Sequence, residues 1–183
     1  MRYSTEHKAE ARSKIISSAA ALAKKNGFGT TGVDDLMGSA GMTGGAFYKH
    51  FSTKQDLLSE IVLAEIKRSA AMFVARSDTA LSPIEMLEKY LSLAHVKKPE
   101  KGCLLPALSA EIGHASEPVK QSFEEQIKQL VSELSSTLGD TEKTWAALSL
   151  CVGGVMLARA MKTEAAQQAL LDACKKGGQA ILK

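Results

Sequence analysis

The stretch Thr31-Gly32-Val33-Asp34-Asp35-Leu36-Met37-Gly38-Ser39-Ala40-Gly41-Met42-Thr43-Gly44-Gly45-Ala46-Phe47-Tyr48-Lys49-His50-Phe51-Ser52-Thr53-Lys54 holds two short apolar-periodic segments hinged at Gly41. Val33, Leu36, Met37 and Ala40 fall at i, i+3, i+4 and i+7, the spacing of one face of a helix. Thr31 is placed to cap it, with Asp34 three residues on as a variant of the capping box, and Gly41 ends it. A second short helix is expected from Gly44 to about His50, anchored by Phe47 and Phe51 one turn apart. Two short helices joined by Gly41-Met42-Thr43 predict a helix-turn-helix, whose second helix lies in the major groove of DNA.

Within that second helix the residue choices are poor for stability and good for contact with nucleic acid. Gly44 and Gly45 occupy its first turn, where each glycine costs up to ~1 kcal/mol relative to alanine. Without side chains the helix N-terminus can press against bases or phosphates, and its free N–H groups favour anions. Tyr48, Lys49 and His50 add a hydroxyl and two basic groups on the exposed side. Lys54 is expected in the first turn of the next helix, where its charge opposes the helix dipole unless a phosphate lies nearby. The competing reading is a plain Gly-Gly loop, a half-buried Tyr48 and a solvated basic face.

Outward from this core, helical periodicity continues and no alternating strand pattern is found, so the expected fold class is all-α with about nine helices. Ala11, Ile15, Ala19, Leu22 and Ala23 line a first helix over Glu6–Lys25, stopped by Asn26-Gly27. Ser52 with Gln55 reads as a capping box opening a long fourth helix through Leu57, Leu58, Ile61 and Val62 towards Ala75. After a polar break over Arg76–Leu81, Ser82-Pro83-Ile84-Glu85 starts a fifth helix lined by Leu87, Tyr90, Leu91 and Ala94. A loop over Lys97–Gly102 leads to a sixth helix from about Cys103 to His114. Val119, Phe123, Ile127, Leu130, Leu134 and Leu138 define a seventh, ended by Gly139. Two more, about Glu142–Met161 and Glu164–Lys176, complete the set.

Charge divides the chain in the same place as the helix lengths. Residues 1–56 carry eight Lys or Arg against five Asp or Glu, whereas 57–183 carry fifteen of each, so the whole excess of +3 sits where a polyanion would bind. The expected domains are a three-helix DNA-binding unit over 1–56, with its motif at about 31–50, and a larger helical unit over 57–183. The most apolar stretch, Leu148–Met161, is interrupted by Gly153, Gly154 and Arg159 and is too short to span a bilayer. Met1–Glu10 lacks the layout of a secretory signal, so a cytoplasmic location is expected. Cys103, Cys151 and Cys174 are odd in number and widely spaced, which predicts free thiols and no metal pair.

Residues 31–36 and 40–54, together with Ile15, Ala19 and Gly27 of the first helix, resemble the N-terminal signature of the TetR family of bacterial repressors. The resemblance covers about the first 60 residues. It implies a homodimer whose two readers contact successive major grooves of a near-palindromic double-stranded operator, with the larger domain binding a small effector. By position in the motif, Thr31, Tyr48 and Lys54 would hold phosphates, Thr43, Gly44, Gly45 and His50 would face base edges or nearby backbone, and Lys49 would serve either role. Having only Thr and Gly at the front of the helix departs from members with large polar residues there, which gives operator shape more weight. The small residues of the last two helices (Ala146, Ala147, Gly153, Gly154, Ala158, Ala165, Ala166, Ala169, Ala173) occupy the family's place for a four-helix dimer interface.

In the larger unit, Met72, Met86, Tyr90, Phe123 and Trp145 are candidates to line an apolar effector cavity, against the plainer reading as core. Phe73 has the same two readings. Cys103 joins that candidate set; some family members with a similar Gly-Cys-Leu sequence sense reactive compounds there, while the plainer reading is a small residue packed at a helix start. His95, His114 and Glu111 are candidates to bind a metal or polarise a ligand, but no H-x-x-x-H spacing exists and the close pair Glu111 and His114 reads more plainly as solvated, so no metal or other cofactor is expected. No nucleophile elbow, phosphate loop, dinucleotide fingerprint or zinc motif is present, so an enzyme is not expected. The expected function is a transcriptional repressor released from its operator by a small electrophilic or apolar molecule. The alternatives are an activator of the same fold and a helical interaction module without DNA binding.

Overall fold

The apolar stripes become helices, and each helix ends where local chemistry stops it. The computed structural model describes residues 5–73 and 81–183. The elements are α1 (Thr5–Asn26), α2 (Val33–Ser39), a 3₁₀ turn (Gly44–Lys49), α3 (Lys54–Phe73), α4 (Pro83–Tyr90), α5 (Leu93–Lys97), a second 3₁₀ turn (Pro99–Lys101), α6 (Leu105–Gly113), α7 (Glu117–Leu138), α8 (Thr141–Ala160) and α9 (Glu164–Ile181). No strand occurs among the described residues, and none of their helices is long and apolar enough to cross a membrane. The expected polar break falls largely on residues 76–80, and the side chain of Met72 likewise lies outside the described residues.

Three left-handed glycines make the sharpest stops. Gly27 (φ +87°) ends α1, Gly41 (φ +74°) turns the chain after α2, and Gly139 (φ +78°) ends α7. At the start of α4 the expected capping box is present: Ser82 accepts from the Glu85 N–H while the Glu85 carboxylate accepts from the Ser82 N–H.

Several boundaries differ from the sequence-based expectation. α2 is capped by Gly32 with no side-chain bond; the Thr31 hydroxyl turns back to the Gly27 carbonyl instead. The box that opens α3 is Thr53 with Asp56, one residue later than Ser52 with Gln55; Thr53 and Asp56 exchange bonds of 2.9 and 3.0 Å. Gln55 is thereby freed to accept from the N–H and hydroxyl of Ser116. The expected fifth helix is broken in two, because Ser92 caps a new helix by accepting from the His95 N–H, and His95 Nδ1 meets the Tyr90 carbonyl left open at the break. Cys103 stands before α6, not within it. α9 runs past Lys176 to Ile181, since Gly178 keeps helical backbone and lies against Leu87, where a Cβ would come within 2.6 Å.

α3 packs along α7, α8 along α9, and α1 rests on α2, α3, α6 and the Pro99–Lys101 turn. One apolar cluster runs from Ile15, Leu36, Phe47, Phe51 and Leu58 through Leu91, Leu104 and Leu108 to Leu130, Val155 and Leu171. The N-terminal unit is therefore seated on the larger one by shared core, not hung from it by a linker.

Candidate nucleic-acid interface and effector cavity

The Gly44–Lys49 turn is anchored from one side only. Phe47 and Phe51 are almost fully buried, with ring centroids 5.6 Å apart. On the other side Thr43, Gly45, Tyr48 and Lys49 are exposed, and Tyr48 is 75% accessible, the most exposed of the large apolar side chains among the described residues. The two glycines differ in kind. A Cβ on Gly44 would lie 1.6 Å from Asp34 Oδ1, so Gly44 lets the turn close on α2. A Cβ on Gly45 would meet nothing within 4 Å, so no packing demand inside the molecule explains that glycine.

His50 closes the turn half-buried. Its carbonyl accepts from Arg12 of α1, whose guanidinium also lies 4.3 Å over the Phe51 ring and 2.9 Å from Glu60 of α3. His50 Nδ1 is buried without a hydrogen-bond partner. Burial, then the nearby charges of Lys8, Arg12 and Lys49, lower the His50 pKa. Two expected phosphate-holding residues stand otherwise than anticipated. Thr31 is buried with its hydroxyl bonded to Gly27. Lys54 donates to the Gly29 carbonyl at 3.2 Å and sits 4.8 Å over the Phe28 ring, so partners within the molecule already offset its position at a helix start.

Further polar contacts, beyond Arg12 with Glu60 and Gln55 with Ser116, tie this unit to the larger one. Lys24, on the buried face of α1, donates to Glu65 of α3 at 2.6 Å and to the Gly102 carbonyl at 3.0 Å. Arg68 reaches the same Glu65 at 2.8 Å and the same carbonyl at 2.9 Å. Burial would raise the Glu65 pKa, but the bonds from Arg68 and Lys24 outweigh it and hold the carboxyl below its usual range. Further along, Glu111 of α6 accepts from the backbone N–H of Phe28, at 3.0 Å, and of Gly29. Glu111 is thus a clamp on the α1–α2 loop, where a solvated pair with His114 was expected.

A cavity of about 310 Å³ opens on the far side of Gly102, lined by Leu81, Lys89, Tyr90, Ser92, Ala94, His95, Lys98, Lys101, Gly102 and Cys103. Its wall is fixed by His95: Nδ1 faces the Tyr90 carbonyl at 2.8 Å and Nε2 accepts from the Cys103 N–H at 3.1 Å. Gly102 is required here, since a Cβ would fall 2.4 Å from the His95 ring. The Cys103 thiol meets Ser69 Oγ at 3.7 Å and the Leu105 N–H at 3.5 Å. Cys151 is also buried, and burial pushes its thiol up to about 12. Of the expected pocket residues, Tyr90 and Cys103 are brought together. Met86 lines a separate, smaller apolar cleft with Leu134 and Leu138; Phe123 packs against the core from α7; Trp145 is exposed on α8. None of these three lines the cavity.

Residues 15–61 match the family model described as bacterial regulatory proteins, tetR family. The N-terminal third of the chain thus carries the DNA-binding region of TetR-family transcriptional regulators. Two repressors of the helix-turn-helix type are similar to it: DhaR of a Mycobacterium species, 19% identical over 136 residues (73% of this chain, 68% of that one), and KstR2 of Mycolicibacterium smegmatis, 30% identical over 79 residues (43% and 38%). Among solved structures, a TetR transcriptional regulator from Legionella pneumophila superposes with a TM-score of 0.74 at 18% identity, over 100% of this chain and 99% of that one. Among the described residues the all-α architecture is that of the TetR fold.

On this TetR-family frame, the residues that sequence reasoning missed are those joining the two units: Arg12, Lys24, Glu65, Arg68 and Glu111. A signal for two of them was present. Lys24 directly follows Ala23 on the inward face of α1, and Glu65 continues the stripe of Leu58, Ile61 and Val62; a charge on an apolar stripe implies a buried partner. On the outer side of the larger unit, α8 exposes Trp145, Met156, Leu157 and Met161 beside the exposed Ala165, Ala166, Ala169 and Ala173 of α9.

Proposed function

We propose that this TetR-family regulator is a homodimeric repressor that reads a near-palindromic operator with its 1–56 unit and leaves it when a small molecule enters the 57–183 unit. The observation that carries the reading is the 44–49 turn. Buried Phe47 and Phe51 hold it rigidly while Thr43, bare Gly45, Tyr48 and Lys49 face outward. Thr43 and the backbone at Gly44 and Gly45 approach base edges or phosphates. Tyr48 and Lys49 reach phosphates, with His50 at the end of the turn. Thr31 and Lys54 support this surface from behind, Lys54 turning outward to a phosphate by exchanging its contacts with Phe28 and Gly29. The work is done in the cytoplasm, where the operator lies.

Release follows from the shared carbonyl of Gly102. A molecule in the cavity pushes on the 101–103 segment, and that carbonyl is held by Lys24 of the DNA-binding unit and Arg68 of α3. Movement there shifts α1 and the spacing of the two readers. Dimerisation is assigned to the exposed apolar face of α8 and α9.

The test is fluorescence anisotropy of the protein with DNA flanking its own gene, against random DNA, at two salt concentrations. Specific binding, roughly 10³-fold over random DNA and falling steeply with salt, is expected. Tyr48→Ala should weaken it several-fold without changing helical circular dichroism or dimer mass. Equal affinity on both DNAs, repeated after selection from a random pool, would refute the reading in favour of an interaction module.

A further inference from the structure

The cavity beside Gly102 has a one-sided charge. Lys89, Lys98 and Lys101 stand on its lining, and none of the three makes an ion pair among the described residues, whereas nearby Lys97 is paired with Glu164. Among the described residues no carboxylate lines it. Behind the His95–Gly102 wall lies Arg159, whose Nη2 donates to the His95 carbonyl at 3.0 Å while Nε and Nη1 are buried without a partner. Glu100 faces Arg159 from the same loop and offsets part of this charge. Both ring nitrogens of His95 are already used within the wall, so the imidazole offers a ligand only its apolar edge. Of the remaining lining, Leu81, Tyr90, Ala94 and Cys103 are apolar or aromatic, and the Ser92 hydroxyl is used within the chain as a donor to the Lys89 carbonyl.

Clefts lined by one sign of charge over low-dielectric walls concentrate the opposite ion. About 310 Å³ is at the small end of small-molecule sites. We propose that this cavity binds a small organic carboxylate with an apolar body, its carboxylate at the lysine rim and its body against Tyr90, Ala94 and Cys103. The proposal rests on reading the cavity as the effector site and names the class of effector.

Isothermal titration of the full-length protein with benzoate and hexanoate, against the neutral benzamide and hexanamide and the cation hexylammonium, tests it. The carboxylates should bind roughly tenfold or more tighter than their amides at low salt, a difference of about 1.4 kcal/mol. In a Lys98→Gln, Lys101→Gln double variant that preference should shrink to within a few-fold, while the amides bind as before. Ala94→Trp, checked by circular dichroism for an intact fold, should abolish binding of both. Amides as tight as acids, or hexylammonium tighter, would overturn the carboxylate assignment; so would the absence of heat from every probe, or a carboxylate preference that survives both variants. A parallel anisotropy titration separates the two readings. Carboxylates that bind without altering operator affinity would uphold the ligand class and sink the effector role. Loss of operator binding in the unliganded wild type would sink the regulator reading alone.

Discussion

Gly45 separates stability from function at one residue. Its Cβ position is empty for 4 Å around, so Gly45→Ala adds a methyl without a clash and removes backbone freedom from the unfolded chain. The variant should gain a few tenths to about 1 kcal/mol in urea unfolding while losing several-fold in operator affinity, because the methyl stands where DNA backbone or bases must come. Unchanged affinity would remove Gly45 from the interface. His50 makes a second prediction. In the free protein, burial and then Lys8, Arg12 and Lys49 depress its pKa. A neighbouring phosphate would raise it again. Complex formation then takes up a proton, so affinity should strengthen as pH falls from about 7.5 towards 6 and level off below the free-protein value. His50→Gln should flatten that dependence, and an equally steep profile in the variant would place His50 away from the phosphates. The exposure of Gly45 and Tyr48 was legible in the sequence from their place opposite the Phe47 and Phe51 anchors. The internal partners of Thr31 and Lys54, the Gly27 carbonyl and the Phe28 ring, were not legible because they come from a loop whose course no local pattern dictates.

Between elements, the buried Lys24–Glu65–Arg68 group carries the connection of α1 to the rest. Breaking a buried pair is costly when a charge is left alone, but Lys24→Met leaves Glu65 and the Gly102 carbonyl with Arg68. The expected loss in urea unfolding is about 2 kcal/mol, not the larger value of an orphaned ion. Because Glu65 is ionised more readily folded than unfolded, its contribution is complete above the unfolded carboxyl pKa of about 4.3. It is lost as pH falls through the lower folded value. Glu65→Gln should therefore be less stable than wild type at pH 7 and lose less stability between pH 5 and 3; parallel acid limbs would show that the carboxylate is not held as described. Helix boundaries were legible wherever a cap chemistry was unique, as at Ser82-Pro83-Ile84-Glu85 and at Gly139. The break between α4 and α5 was not, because Tyr90, Leu91 and Ala94 keep helical spacing across it. Only the fold shows that Ser92 and His95 satisfy the interrupted backbone.

At the scale of the whole molecule, the apolar outer face of α8 and α9 is left without an internal explanation among the described residues. Met156 and Leu157 are 47% and 54% exposed, next to Trp145 and Met161 and to a row of alanines that would let another helix pair approach closely. None of these side chains belongs to the core that runs through both units, and exposed apolar surface of this kind is what an association site presents. Leu157→Asp combined with Met156→Asp should therefore convert the dimer to monomer in sedimentation velocity while leaving the helical signal intact. The consequence for DNA is larger than the change in mass suggests. Two joined readers bind one operator with an avidity that exceeds a single reader by roughly 10²–10⁴, so the monomeric variant should lose operator affinity by that order and keep the weak, salt-sensitive binding of one 1–56 unit. Tyr48→Ala gives the converse, an intact dimer with weakened DNA contact. A double variant that stays dimeric would move the interface off α8 and α9, and a monomer that keeps full operator affinity would mean that one reader suffices.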